Sequence, residues 1–490
     1  MSTFDTVIVG AGSAGCVLAA RLTEDGARCV LLLEAGPDHL AADVPDELRY
    51  LSRPVKWPYD WDDEVVSTGD RRLFYGRGRG VGGSSATNGG VALRAEPEDF
   101  ATWPAEWQWP VLLPYYRRSE HDLDFGVLDY HGDDGPIPVV RWPRAEWVPL
   151  QVAFHDACTG LGFAACDDHN APGSTGVGPI PMNRVERMRI SNSLAYLEPA
   201  RNRANLTVRG DAHVRRVVIA DARATGVELD DGERIDAGEV ILAAGVIQDP
   251  LLLWRSGIGP TERVRALGIE PVLDRPAVGA HMTDHFVMSF AADVPPELAP
   301  DDAPTLQNIL RATTPGSERV HDLQLTPWVR RHPDGGRALG LSVSCQLPDG
   351  EGSVTPTSAD PHPPARIAWP FTELPANIAR LREGWRLAAR ICDATALVID
   401  DAPIRAALAA TDAELDALIA AEHTAFYHGV GTCAMGDWDD DDTVVDPECR
   451  VRGIDALRII DASVIPTVPR SNTNLVVTAL AERAAELLTG

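Results

Sequence analysis

The sequence predicts a mixed α/β (α+β) fold, in which a Rossmann-like domain is built from discontinuous segments and a second domain carries an antiparallel sheet flanked by helices. Three observations predict it. Residues 4–36 have the pattern of strand, glycine turn, helix and strand. Residues 205–245 and 285–370 contain runs in which apolar and polar residues alternate, and residues 457–488 return to a strand and an amphipathic helix.

The order of these patterns implies that distant parts of the chain share one domain. We expect the first domain to comprise residues 1–150, 190–284 and 425–490. The second domain then comprises residues 151–189 and 285–424. The chain of 490 residues is long enough for two such cores.

The first element is a dinucleotide-binding turn, GAGSAG at 10–15. Gly10 permits the tight turn, Gly12 lets the backbone approach a diphosphate, and Gly15 permits close packing of helix on strand. Glu34 ends the second strand, where a carboxylate accepts bonds from ribose hydroxyls. The turn by itself leaves NAD and FAD equally open.

The next elements are a long excursion over residues 38–75 and a second glycine-rich run, GRGVGGSSATN at 78–88. Consecutive N–H groups in such a run cradle oxygen atoms, and Arg79 adds a forked donor. After it, strands are predicted at 206–208, 213–219, 224–229 and 239–245, and a helix at 247–255. Further strands are expected at 286–290, 339–347 and 365–369, with helices at 374–395 and 412–425.

The last segments of the chain contribute a histidine and an asparagine as candidate catalytic side chains. His428 lies between Tyr427 and GVGT, so small residues surround it, and Asn472 precedes the final helix. A histidine and an asparagine beside a redox cofactor suit alcohol oxidation. The histidine takes the hydroxyl proton while the asparagine holds the oxygen.

Composition excludes several classes. A net charge of −28 argues against nucleic-acid binding, and Lys56 is the only lysine, which disfavours Schiff-base and P-loop chemistry. The eight cysteines are scattered without a CxxC pair, as expected for reduced thiols in a cytoplasmic protein. We expect no metal site, no membrane span and no cleaved leader.

Five segments in this order resemble the glucose–methanol–choline (GMC) flavoprotein oxidoreductases. They are GAGSAG with Glu34, GRGVGGSSATN, GVIQDPLLLWRSGIG at 245–259, YHGVGTCAMG at 427–436 and DASVIPTVPRSNTN at 461–474. The resemblance implies FAD, with its ADP part on Gly10, Gly12, Ser13, Ala14, Gly15, Glu34 and Ala35. It places the flavin against Arg79, Ser84, Asn88, Gly89 and Val91, and the adenine against Val214. The diphosphate–flavin side of the site is completed by Tyr427, Asp461, Ala462, Asn472 and Thr473.

The resemblance also implies a reaction. His428 is the catalytic base, Asn472 orients the oxygen, and hydride passes from the alcohol carbon to flavin N5. Electrons then go to O2 or to a carrier such as a quinone, so oxidase and dehydrogenase both stay open. A hydroxynitrile lyase is the alternative from another class, because some proteins that resemble this family retain FAD without reducing it.

Two departures from the family pattern stand out. Thr87 stands where some members carry the histidine that tethers FAD, so we expect non-covalent FAD. Asp249, in the segment GVIQDP, stands where the family usually has Ser or Thr.

Overall fold

A computed structural model describes residues 4–52, 58–67, 70–300, 303–331, 335–395, 402–440 and 442–490. It confirms the mixed α/β class, with a seven-stranded and a six-stranded sheet as the two largest layers. Among the described residues, no helix has both the length and the apolar composition needed to cross a membrane.

The strands are numbered in chain order. They are β1 Phe4–Val9, β2 Val30–Leu33, β3 Asp63–Val66, β4 Arg72–Tyr75, β5 Glu120–Asp122, β6 Ile137–Val139, β7 Gly176–Pro179, β8 Arg184–Val185, β9 Met188–Arg189, β10 Leu206–Arg209, β11 Val214–Ala220, β12 Arg223–Leu229, β13 Arg234–Leu242, β14 Ile258–Gly259, β15 Leu273–Asp274, β16 Phe286–Asp293, β17 Asn308–Ala312, β18 Leu323–Arg331, β19 Arg337–Cys345, β20 Ser353–Thr355, β21 Arg366–Ala368, β22 Thr424–Ala425 and β23 Leu457–Ile459.

The helices are numbered in the same way. They are α1 Ser13–Leu22, α2 Asp46–Arg49, α3 Gly83–Thr87, α4 Trp109–Ser119, α5 Pro149–Gly160, α6 Glu198–Ala200, α7 Gly245–Arg255, α8 Thr261–Ala266, α9 Pro375–Asp393, α10 Ala402–Ala409, α11 Asp412–Glu422 and α12 Thr473–Thr489.

The seven-stranded sheet is the Rossmann-like layer. Its strands run in the order β10-β2-β1-β13-β12-β11, and β23 also pairs with β13. Strands β10, β2, β1, β13 and β23 pair in parallel, while β11, β12 and β13 form an antiparallel meander. The four residues of β2 are all buried, as expected for a parallel strand covered on both faces.

The six-stranded sheet is the predicted antiparallel one, in the order β22-β16-β19-β18-β17-β7. Strands β17 and β18 were not predicted individually, and both are buried along most of their length. The strand expected at 365–369 forms as β21 but belongs elsewhere. It pairs with β20 and β3 in a four-stranded sheet, so part of the excursion over 38–75 is sheet as well.

The two ends of the chain meet in the structure. Helix α1 packs against α12, and the Ser13 hydroxyl donates to Asn474 Oδ1 across 461 residues of sequence. Arg21 donates through Nε and Nη2 to the fully buried carboxylate of Glu482, at 2.9 and 2.7 Å. The first domain is therefore assembled from both ends, while its exact boundaries stay a prediction.

Candidate active site

A cavity of about 850 Å³ runs from the turn after β1 to the loop that carries His428. Side chains and backbone from both large sheets line it. Most of the predicted site residues are brought together here: Gly10, Gly12, Ser13, Ala14, Glu34, Ala35, Ser84, Asn88, Gly89, Val91, Val214, Tyr427, His428, Asp461, Ala462, Asn472 and Thr473. Two are not among the lining residues, namely Gly15 and Arg79.

The turn after β1 has the geometry that the glycine pattern predicts. Gly10 has φ +100°, and a Cβ there would lie 2.4 Å from the Ala243 carbonyl oxygen. A Cβ on Gly15 would lie 1.9 Å from the Gly10 carbonyl oxygen, so this glycine serves packing and is covered by protein. A Cβ on Gly12 would have no neighbour closer than 4.0 Å. Gly12 is therefore the glycine whose missing side chain leaves room for a ligand.

Helix α1 begins at this turn without a side-chain cap and without an acidic residue in its first turn. The first N–H groups of a helix have no partner within the helix, and together they form an anion site. Because Ser13 and Ala14 line the cavity, these donors face it. This arrangement fits the diphosphate of a dinucleotide.

Glu34 forms hydrogen bonds to the backbone of several turns at the same end of the cavity. Its carboxylate accepts from the N–H groups of Ala11, Gly36 and Gly80, at 3.0, 2.9 and 3.1 Å. Burial raises the pKa of this carboxyl, and the three backbone donors oppose the rise. The Glu34 carboxylate thus holds these turns in place, and it is also the group predicted to contact the ribose.

The second glycine run packs on the first. Gly83 has φ +49°, and a Cβ there would lie 2.7 Å from Gly12 Cα. The second run thus needs glycine for close backbone packing as well as for N–H donors. The Arg79 guanidinium donates to the Ala35 carbonyl oxygen and lies over the Trp61 ring, and its contact with the flavin stays a prediction. Arg77, just before this run, lines the cavity.

At the other end of the cavity, three side chains form a chain of hydrogen bonds. Asn472 Nδ2 lies 3.0 Å from His428 Nε2. His428 Nδ1 lies 2.9 Å from His285 Nδ1, and His285 Nε2 lies 2.9 Å from the Pro469 carbonyl oxygen. The sequence analysis missed His285, since a single histidine beside a strand carries no signal of its own.

These partners fix the tautomer of each ring. A carbonyl oxygen only accepts, so His285 carries its proton on Nε2 and accepts at Nδ1. Burial lowers the pKa of His285 to about 3, so the ring is neutral. His428 must then donate from Nδ1, which leaves the lone pair on Nε2, opposite the Asn472 amide. Burial, with His285 and Arg77 nearby, also holds the pKa of His428 well below 6.5.

The backbone at His428 is held by hydrogen bonds to neighbouring side chains. Asp284 Oδ1 accepts from the His428 N–H at 2.7 Å, and Asp284 Oδ2 accepts from the Tyr75 hydroxyl at 2.7 Å. Tyr427 has φ +67°, an uncommon conformation for a residue with a side chain. Arg77 donates to the Tyr427 carbonyl oxygen. Asp284, Tyr75 and Arg77 were also missed by the sequence analysis.

Two cavity-lining asparagines each have a buried polar atom without a protein partner: Asn472 Oδ1, beside His428, and Asn474 Nδ2, beside Ser13 at the start of α1. Buried polar atoms are rarely left unpaired in folded proteins. Together with the uncapped start of α1 and the open side of Gly12, they fit a long polar cofactor that spans the cavity. The site therefore has the features of a dinucleotide-binding site, with a neutral histidine at one end of the cavity.

Two family models, both described as GMC oxidoreductase, match residues 4–287 and 348–481. The chain belongs to the GMC oxidoreductase family. It is accordingly an FAD-dependent oxidoreductase that acts on CH–OH groups, and the expectations of family, enzyme class and cofactor are confirmed.

Similar proteins span the whole chain. An uncharacterized GMC-type oxidoreductase of Rhodococcus erythropolis is 36% identical, over 99% of this chain and 98% of its own. An oxygen-dependent choline dehydrogenase of Photobacterium profundum is 33% identical, over 100% of this chain and 93% of its own. Among solved structures, pyridoxine 4-oxidase from Mesorbium loti superposes with a TM-score of 0.88 at 29% identity, covering 99% of both chains.

The carboxyl of Asp249 has hydrogen-bond partners in the structure. Its carboxyl accepts from the Ala244 N–H at 3.0 Å and from the Ser463 hydroxyl at 3.2 Å. The neighbouring Asp461 carboxyl accepts from the N–H groups of Gly245 and Ser463, at 2.5 and 2.8 Å. Both carboxyls are buried. Burial, and then the nearby Asp461 carboxylate, raise the pKa of Asp249 well above its usual range.

We expect Asp249→Asn to stabilise the protein, and to do so more as pH rises. An unfolded aspartate ionises near pH ~3.9, whereas folded Asp249 keeps its proton to higher pH. Native stability is therefore lost progressively above that value, by up to about 1.4 kcal/mol per pH unit. Thermal unfolding between about pH 5 and about pH 8 checks this. The exposed Asp129→Asn is the control, and a gain from Asp249→Asn that does not change with pH contradicts the argument.

Proposed function

We propose that this enzyme oxidises an alcohol to the carbonyl compound, with His428 as the base that takes the hydroxyl proton. The observation that carries the proposal is the lone pair on His428 Nε2, which the Asn472 amide faces at 3.0 Å. An alcohol oxygen that takes the place of the Asn472 amide on this lone pair donates its proton to Nε2, and the displaced Asn472 N–H donates to the same oxygen. FAD, when bound, supplies the acceptor for the hydride.

His285 is a positioning residue in this proposal. By accepting from His428 Nδ1, it keeps the lone pair of His428 on the side of the substrate. When His428 becomes an imidazolium, both of its N–H groups still have acceptors: His285 Nδ1 and the newly formed alcoholate oxygen. Such an arrangement of base and orienting group recurs in enzymes that activate hydroxyl groups.

We further propose that the cofactor lies with its ADP part at the start of α1 and its reactive ring beside His428. The uncapped helix and the open side of Gly12 support the first placement. We infer that FAD is not covalently bound, because Thr87, which lines the cavity, has no ring nitrogen to form the bond. The eight cysteines are free thiols, which supports the proposed cytoplasmic location.

The electron acceptor is open between O2 and a carrier. Two of the similar proteins are a pyridoxine 4-oxidase and an oxygen-dependent choline dehydrogenase, and both names agree with alcohol oxidation. Anaerobic mixing of the holoenzyme with a panel of alcohols tests the proposal, since bleaching of the flavin reports oxidation. Rapid reoxidation in air identifies an oxidase. Flavin that stays oxidised with every alcohol while a cyanohydrin is cleaved identifies a lyase and refutes the proposal.

We expect flavin reduction by alcohol to be independent of pH from about pH 6.5 upward. The base works only when neutral, and the pKa of His428 lies well below 6.5 because of burial and its two neighbours. The rate should fall only in more acidic solution. Anaerobic stopped-flow measurements across pH check this, and a rate that still rises with pH above 6.5 contradicts the assignment of the base.

A further inference from the structure

Two histidines and an aspartate from separate segments meet beside the meander of the seven-stranded sheet. His213 precedes β11, Asp230 follows β12, and His362 lies in the loop between β20 and β21. His213 Nδ1 lies 2.7 Å from Asp230 Oδ2, and His362 Nε2 lies 3.5 Å from the same oxygen. One ligand atom of each residue lies within 4.8 Å of the other two. We call these three residues the meander cluster.

The Asp230 carboxylate has no guanidinium partner. Among the described residues, the two histidines are the only side chains that form a hydrogen bond or an ion pair with it. Its second oxygen, Oδ1, is buried and has no hydrogen-bond partner. Buried polar atoms are rarely left unpaired in folded proteins. This oxygen therefore points to a ligand that the protein itself does not supply.

The charges around the meander cluster balance one another. Arg255 donates through Nε to the Arg215 carbonyl oxygen at 2.7 Å and forms no ion pair with Asp230. The charges that act on its guanidinium are those of Asp230, Arg215 and Asp360. Two carboxylates thus face two guanidiniums. Affinity for a cation must therefore come from coordination by the ring nitrogens, which favours a transition-metal ion over Mg²⁺ or Ca²⁺.

The backbone of the loop that carries His362 is held in place. Pro361 and Pro363 flank the histidine, and a proline restricts both its own φ and the residue before it. The His362 N–H also donates to Asp360 Oδ1 at 3.0 Å. A backbone that is already fixed loses little conformational entropy when its side chain binds a ligand. The exposed His362 ring keeps the freedom to rotate toward Asp230.

A second group of metal-ligating residue types differs from the meander cluster. Glu120, Asp122 and His131 also lie close together. Arg94 pairs with Glu120, however, and Arg141 pairs with Asp122. All five side chains are buried. The carboxylates of that group therefore have their counter-charges within the protein and need no cation.

We propose that the meander cluster binds one divalent transition-metal ion of the zinc class. Two imidazole nitrogens and a carboxylate oxygen are ligands that Zn²⁺ takes at about 2.0–2.2 Å, and in a tetrahedral site such ligands lie roughly 3.3 Å apart. Rotation of the exposed His362 ring brings the three atoms to this spacing. A bound ion joins the loop between β20 and β21 to the meander. The inference does not depend on the proposed function.

The test titrates the holoenzyme, freed of metal by chelation, with Zn²⁺ against a chromophoric chelator. We expect one zinc ion per chain that stays bound through gel filtration. Mg²⁺ should not displace it, because Mg²⁺ prefers oxygen ligands. His362→Ala and Asp230→Asn should each weaken zinc binding at least tenfold, since even the loss of an outer-shell partner costs about 10–100-fold in affinity.

The matched control is His281→Ala. His281 Nδ1 lies 2.5 Å from Glu351 Oε2, and both side chains are exposed, so this is a histidine–carboxylate pair outside the meander cluster. Its loss should leave zinc affinity unaltered. Zinc should also raise the unfolding temperature of the parent but not that of His362→Ala, and zinc-free scans check that each variant folds. A parent without a zinc site, or a site that keeps its affinity in either His362→Ala or Asp230→Asn, overturns the inference.

Discussion

His428→Ala should lower the rate of anaerobic flavin reduction by a factor on the order of 10²–10⁴, while FAD stays bound. The reason is the single lone pair on Nε2, which the tautomers of His428 and His285 direct toward the Asn472 amide. Alanine leaves the hydroxyl proton without an acceptor, yet it removes no donor from the start of α1. Stopped-flow reduction, together with the visible flavin spectrum, measures both quantities.

The control for this substitution is His121→Ala, because His121 is exposed on β5 and does not line the cavity. It should reduce flavin at the unaltered rate. If His428→Ala bleaches its flavin as fast as the parent enzyme, another group takes the proton and the assignment fails. If His428→Ala loses FAD instead, the histidine acts on cofactor binding and the base must be sought elsewhere.

The second large effect separates two glycines of one motif. Gly12→Val should leave the fold intact but lower the affinity for FAD at least tenfold. The reason is that its side chain enters the open space beside the start of α1. Gly15→Ala should instead destabilise the protein, because its methyl carbon would overlap the Gly10 carbonyl oxygen at 1.9 Å. Thermal unfolding of the cofactor-free forms and titration with FAD distinguish the two.

The expected pattern is specific. Cofactor-free Gly12→Val should unfold at the temperature of the cofactor-free parent, whereas Gly15→Ala should unfold well below it. If Gly12→Val binds FAD with unaltered affinity, the diphosphate of FAD does not bind at this turn. Gly26→Ala is a matched control, since a Cβ at this surface glycine meets nothing within 4 Å, although its φ of +72° makes a small loss of stability expected.

The elements with strong local patterns were predictable from the sequence. The β1–α1–β2 unit, the meander of β11 to β13 and helix α12 follow from glycine spacing, alternation and amphipathic periodicity. The partners of β21 were not predictable, because β3 lies about 300 residues away in sequence and pairing is decided by tertiary packing. The prediction of one sheet across 285–370 was wrong for this reason.

The same division applies to the site. His428 and Asn472 stand in recognisable segments, so their proximity was expected. His285, Asp284 and Tyr75 act through hydrogen bonds that form only when three distant elements meet. Arg77 and Arg79 stand two residues apart and look alike in sequence. Only the fold decides that Arg77 lines the cavity while Arg79 contacts Ala35 and Trp61.

The contact between α1 and α12 has a consequence for the newly made chain. Asn474, which accepts from the Ser13 hydroxyl, is added 461 residues later than its partner. At about 5–20 residues per second, the ribosome needs roughly 25–90 s to make that intervening length. During that interval α1 lacks its partner helix α12. The face of α1 that packs on α12 must therefore be sheltered by other means until α12 has been made.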